Sequence, residues 1–179
     1  MAWMPWLVLA LLMFWAIGAY NRLVRLRSAV VRSFGALDTY LMRWIALFGD
    51  YRAAHAQTWA QTPAADAHAA VEAATTQFGA SLAVARSQPL DGDAIAALAT
   101  GTQVLDGAWQ RLIGACSNAG DTLADELAPW ARQREALRQQ SLPAQEAFNE
   151  AVRHYNDAVA QLPANLLAWV FGFRKTRGL

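Results

Sequence analysis

From Leu23 onward, apolar residues recur at Leu23, Leu26, Val30, Phe34, Leu37, Leu41, Trp44, Phe48 and Tyr51. Every step is three or four residues, the spacing that aligns one face of an α-helix. The stripe holds for about eight turns of 3.6 residues. It runs unbroken to "QTPAAD", where Thr62 is placed to cap a second helix and Pro63 to fill its first position. A second stripe follows at Val71, Thr75, Phe78, Leu82 and Ala85, and "SQPLDGD" ends it in a turn with Asp91 as the next cap. The third stripe is Ile95, Leu98, Thr102, Leu105, Trp109, Leu112 and Cys116. "SNAGD" closes it, with Gly120 just past the helix end and Asp121 as a further cap.

The fourth stripe is Leu123, Leu127, Trp130, Arg134, Leu137, Ser141, Ala144, Phe148, Val152, Tyr155, Val159 and Leu162. Its phase continues through Pro129 and Pro143, which favours a kink at Pro143 over a break. The first helix beyond residue 20 has about 36 residues and the fourth about 40, so each reaches roughly 55–60 Å. The middle two have about 25 each by their stripes and caps. Short turns make successive helices antiparallel neighbours. The expected fold is all-α: an N-terminal transmembrane helix, then an antiparallel four-helix bundle of coiled-coil type with long first and last helices.

The anchor is read from residues 2–20, "AWMPWLVLALLMFWAIGAY", which carry no charge. As a helix they span roughly 28 Å, close to the hydrocarbon thickness of a bilayer. Trp3 and Trp6 stand near one end and Trp15 and Tyr20 near the other, as in an interfacial aromatic belt. A buried core helix of this length would be interrupted by polar residues. A cleaved signal peptide would need a basic stretch ahead of the apolar run. Residues 22–43 hold five Arg (Arg22, Arg25, Arg27, Arg32, Arg43) against one acid, Asp38. That asymmetry puts the following domain on the cytoplasmic side and the N-terminus outside. The expected layout is an anchor over 1–20, a cytoplasmic bundle over 21–163 and a membrane-proximal tail over 164–179.

Composition narrows the function. The 179 residues have a net charge of +1, which gives no general drive toward nucleic acid. The single cysteine, Cys116, excludes an intrachain disulfide and reads as a small core residue. His55, His68 and His154 have no ligand spacing, and no CxxC, HExxH, nucleophile elbow or phosphate loop occurs. No metal, cofactor or catalytic residue is assigned. Asp125 and Glu126 read as solvated surface. Gly101, Gly107 and Gly114 fall inside the third helix, where close helix–helix approach is the expected reason.

The tail, "AWVFGFRKTRGL", joins Trp169, Phe171 and Phe173 to Arg174, Lys175 and Arg177. The fourth helix would return it to the cytoplasmic leaflet, where interfacial aromatics and cations bind anionic lipid. In the competing reading, Leu166, Trp169, Val170 and Phe173 complete the bundle core.

Two stretches resemble the LemA family of bacterial membrane proteins. "YNRLVRLRSAVVRSFGALD" carries Tyr20, Asn21, Leu23, Val24, Leu26, Arg27, Phe34 and Asp38. "FNEAVRHYNDAVAQLPANLLAWVFGF" carries Phe148, Asn149, Val152, Tyr155, Asn156, Pro163, Asn165, Leu166, Phe171, Gly172 and Phe173. Together they cover 45 of 179 residues. The resemblance implies a single span with the N-terminus out, a cytoplasmic helical bundle in the bacterial inner membrane and no enzymatic activity. It also implies an accessory or scaffold role, in some members beside a TPM-domain membrane protein. The chain departs from the family at "LMRWIALFGDYRAAH" and "SNAGDTLADEL", which marks a divergent member. The expected function is a non-enzymatic, membrane-anchored scaffold or adaptor that self-associates and contacts the lipid bilayer. The alternatives are a membrane-shaping coat protein and an enzyme with a site assembled across the bundle. A buried polar cluster in the core would mark the enzyme.

Overall fold

The computed structural model describes residues 3–55, 61–161 and 171–179. Among these the secondary structure is helical, without strands: α1 (Met4–His55), α2 (Ala65–Ser87), α3 (Gly92–Ala119) and α4 (Asp121–Ala160). The apolar run and the first stripe belong to one element. No proline interrupts the chain between Trp6 and His55, and Gly18, Gly35 and Gly49 stand in open space, so the helix runs on for 52 residues. One end of it is long and apolar enough to cross a membrane. Only 6 % of its most apolar window is buried, so no core explains that end.

Each stripe becomes a buried seam. Leu23, Val30, Phe34, Leu37, Leu41, Trp44, Phe48 and Tyr51 of α1 are buried, as are Phe148, Val152, Tyr155 and Val159 of α4. α1 packs chiefly along α4, and α2 along α3. The α1–α4 partners run in opposite order. Tyr51 meets Trp130 with ring centroids 5.7 Å apart, Phe34 meets Phe148 at 5.6 Å, and Arg22 reaches Gln161 at 3.4 Å. Between α1 and α2, Arg52 pairs with Glu72 at 3.1 Å and Asp38 with Arg86 at 2.8 Å. Trp109 of α3 is fully buried at 5.3 Å from the Phe48 ring and 5.6 Å from the Tyr51 ring. Each such side chain contributes about 1.5–3 kcal/mol by leaving water. Cys116 is buried as expected, and burial pushes its thiol pKa up, with Glu126 adding to the shift.

The turns depart from expectation in two places. α2 begins at Ala65 after Ala64, with no side-chain cap. The Thr62 carbonyl accepts the Ala65 N–H at 3.1 Å, so Thr62 and Pro63 form the preceding turn and not the helix start. Asp121 is not a cap but the first residue of α4. Gly120 alone joins α3 to α4, at φ 130°, a conformation that side-chain-bearing residues avoid. Asp91 does cap α3, its carboxylate accepting the Asp93 N–H at 2.9 Å. α4 continues through Pro129 and Pro143. Both prolines are exposed, so water reaches the carbonyls they leave unpaired.

Of the three α3 glycines, only Gly101 marks a close approach. A Cβ there would lie 2.8 Å from Ser81 Oγ and 3.6 Å from Phe78 Cα. Gly107 and Gly114 have nothing within 4 Å, which corrects the packing role expected for them.

Candidate functional site

The segment 171–179 returns to the start of the bundle. Gly172 takes φ +72°, a turn that glycine makes without strain. The turn brings both flanking rings onto Tyr20, the last residue of the apolar run: Phe171 at 5.1 Å and Phe173 at 6.1 Å between centroids. Phe171 remains exposed, whereas Phe173 is half-buried against the core. The tail therefore starts where the apolar part of α1 ends.

Beyond Phe173 the chain is held by two asparagines one heptad apart on α4. Asn156 Nδ2 donates to the Thr176 carbonyl at 2.8 Å, and Asn156 Oδ1 accepts the Thr176 N–H at 2.9 Å. Asn149 does the same for Leu179, with both bonds at 2.7 Å. An amide that donates and accepts at once satisfies both polar groups of one residue. Such side chains read main chain, independent of the tail's side-chain identity.

Side chains add selectivity. Thr176 is buried. A Cβ at Gly178 would lie 2.5 Å from Asn149 Oδ1, so any other residue there must push the Asn149 amide off its bonds to Leu179. Leu179 packs partly into the core. Arg174, Lys175 and Arg177 are all exposed, and Arg177 approaches Asp93 at 3.9 Å. A trough of about 780 Å³ lies between the tail and the turn before α3, with Asp91, Asp93 and Tyr155 on its walls. Burial raises the Tyr155 pKa, and Arg27 opposes that shift.

Most residues of the two LemA-like stretches gather here or in the seam below. Tyr20, Phe171, Gly172 and Phe173 form the turn, Asn149 and Asn156 hold the tail, and Phe34 meets Phe148. Leu23, Val152 and Tyr155 are buried, and Leu26 is half-buried. Asp38 belongs to the ion pair with Arg86 instead. Asn21, Val24 and Arg27 are exposed on α1. Leu162, Pro163, Asn165, Leu166, Trp169 and Val170 lie outside the described residues.

No family model, curated protein or solved structure matches this chain. Arg134 is buried in the core, ion-paired to Asp106 of α3. Its guanidinium lies over the Trp44 ring at 5.8 Å and the Trp109 ring at 5.9 Å. Ser141, the other polar member of the stripe, donates to the Arg138 carbonyl at 2.8 Å. Near the far end of the bundle, His55 and His68 both lie against Tyr51, at 4.8 Å and 5.4 Å. Burial lowers the His68 pKa; Glu72 opposes that shift and His55 adds to it. His154 lies apart, 3.5 Å from Glu150. Among the described residues no cluster of three metal-ligating side chains occurs.

The sequence named Asn149 and Asn156 only through the LemA resemblance, and it missed Asp93, Thr176, Gly178 and Leu179. Two asparagines seven residues apart, flanking Val152 and Tyr155 on one helix face, were the available cue.

Proposed function

We propose that this protein is a non-enzymatic, membrane-anchored helical scaffold or adaptor that self-associates at the cytoplasmic face of a bacterial inner membrane. The observation that carries the reading is the continuity of α1. Its apolar end is exposed over residues 6–15, while the same helix from Leu23 onward forms the seam with α4. An exposed apolar surface of this extent needs a partner, and a bilayer suits its length and aromatic ends. In this reading the helices stack as an antiparallel four-helix bundle with its long members, α1 and α4, side by side. The opposed order of the Tyr51–Trp130, Phe34–Phe148 and Arg22–Gln161 contacts supports that arrangement.

Divergent membership of the LemA family fits the same picture, since its two sequence stretches converge around Tyr20 and the tail. That membership would supply a second membrane protein, such as a TPM-domain protein, as partner. A non-enzymatic role is supported by Arg134, whose charge is already engaged by Asp106 and two indole faces. The coat-forming alternative draws on the meeting of the tail with Tyr20 at the end of the apolar run, which lets both chain ends grip one leaflet.

Topology tests the reading. With the N-terminus outside, protease added to inside-out vesicles digests the bundle and spares residues 1–20. A bundle protected in those vesicles overturns the orientation; a chain released by carbonate extraction overturns the anchor.

A further inference from the structure

The face of α4 that carries Asn149 and Asn156 is a seat that holds the chain's own tail by its main chain. We propose that it also takes segment 171–179 of a second copy, each copy giving its tail to the other. This rests on the self-associating reading above and names how the copies join.

Four hydrogen bonds hold Thr176 and Leu179, all to main-chain atoms, and none requires the tail to belong to the same chain. The fit is nonetheless specific for this sequence. Gly178 passes the Asn149 amide where a Cβ would meet Oδ1 at 2.5 Å, and Thr176 is buried. Asp91 and Asp93 on the trough wall face a segment with three cations, and Arg177 stands 3.9 Å from Asp93. The occupant that matches this site is therefore a second copy's tail and not an arbitrary peptide.

Exchanged tails make the same contacts as retained ones, which leaves mainly the entropy of association to overcome. Anchoring in one bilayer raises the local concentration of neighbours and reduces that cost.

Complementation between two full-length variants tests the proposal. Asn149→Ala with Asn156→Ala removes the seat and leaves the tail; Gly178→Leu blocks the tail and leaves the seat. Wild-type copies carrying two different N-terminal tags should co-purify in mild detergent. Each variant co-expressed with itself should lose co-purification by about tenfold or more, as expected for the loss of paired hydrogen bonds. Mixing the two variants should restore it to within a few-fold, because one tail meets one intact seat. If each variant self-associates as well as wild type, the copies join through another face: the exchange is wrong and the scaffold reading stands. If wild-type copies do not co-purify, both fall. A mixture no better than its parts also overturns the exchange. Circular dichroism checks the fold, and if the double variant unfolds, Asn156→Ala alone replaces it under the same criteria.

Discussion

Asn149 and Leu179 form a closed ring of two hydrogen bonds, both 2.7 Å, between one side-chain amide and one residue's main chain. Asn156 and Thr176 repeat the arrangement two turns further along α4. The tail is thus fixed at two points; the trypsin sites at Arg174 and Lys175 lie just before the first, and the site at Arg177 lies between them. Asn149→Ala with Asn156→Ala should raise the rate of tryptic cleavage in the tail about fivefold or more, since each lost hydrogen bond is worth about 1 kcal/mol. Cleavage inside α4 should not change. Mass spectrometry of a digestion time course separates the two.

The core cation makes a sharper test. Arg134 is buried, and Asp106, its partner, is half-exposed. Asp106→Asn removes the charge that balances Arg134 and should cost about 1–3 kcal/mol, less than a fully buried pair because water reaches Asp106. Arg134→Met replaces the cation by an apolar chain between the Trp44 and Trp109 rings, and should be near neutral. Urea unfolding checks the order. Equal losses for both variants would contradict it.

The glycines of α3 separate by the space around them. Gly107→Ala and Gly114→Ala should each stabilise by about 0.5–1 kcal/mol, the helix-propensity difference, because a Cβ meets nothing within 4 Å. Gly101→Leu should destabilise by about 2 kcal/mol or more, since Phe78 Cα at 3.6 Å cannot move without its helix. Thermal denaturation of the three variants decides this.

These cases show what the sequence carried. Helical period exposed the four stripes, since burial imposes a spacing of three and four on α1 as on α4. It did not resolve Thr62 from Ala65 as a helix start, because alanine-rich sequence offers little contrast between turn and helix. Period also could not tell Gly101 from Gly107: both lie in one helix, and only the approach of α2 distinguishes them. The tail seat was least legible. Its contacts are between side chains and main chain, which leave no hydrophobic pattern, and Thr176 and Gly178 pass as ordinary loop residues.

Acid should loosen the far end of the bundle. Burial lowers the His68 pKa below its ordinary 6.5. A histidine whose folded pKa is depressed favours the fold when neutral, so its contribution is present above about 6.5. It is lost as pH falls from there toward the lower folded value. Wild type should therefore lose melting temperature between pH 7 and 5 faster than His68→Gln, which cannot titrate. Parallel slopes would remove His68 from the account.

Lipid binding by the tail should divide its cations. Arg177 leans toward Asp93 at 3.9 Å, and Thr176 beside it is held by Asn156. Arg177 is exposed as Arg174, Lys175 and Phe171 are, so the approach to Asp93 is what sets it apart, and Phe171 lies on Tyr20 at the end of the apolar run. A basic residue near an anionic surface gains about 1 kcal/mol, so two are worth roughly thirtyfold in affinity. A chain lacking residues 1–19, which keeps Tyr20 under the aromatic turn, should bind anionic liposomes, and salt should weaken the binding. Arg174→Gln with Lys175→Gln should lower affinity by about ten- to thirtyfold, whereas Arg177→Gln should change it less than threefold. Cosedimentation at two salt concentrations measures all of these. If the double variant binds as its parent does, the tail does not engage the leaflet, and its aromatic turn serves only to close the bundle at Tyr20.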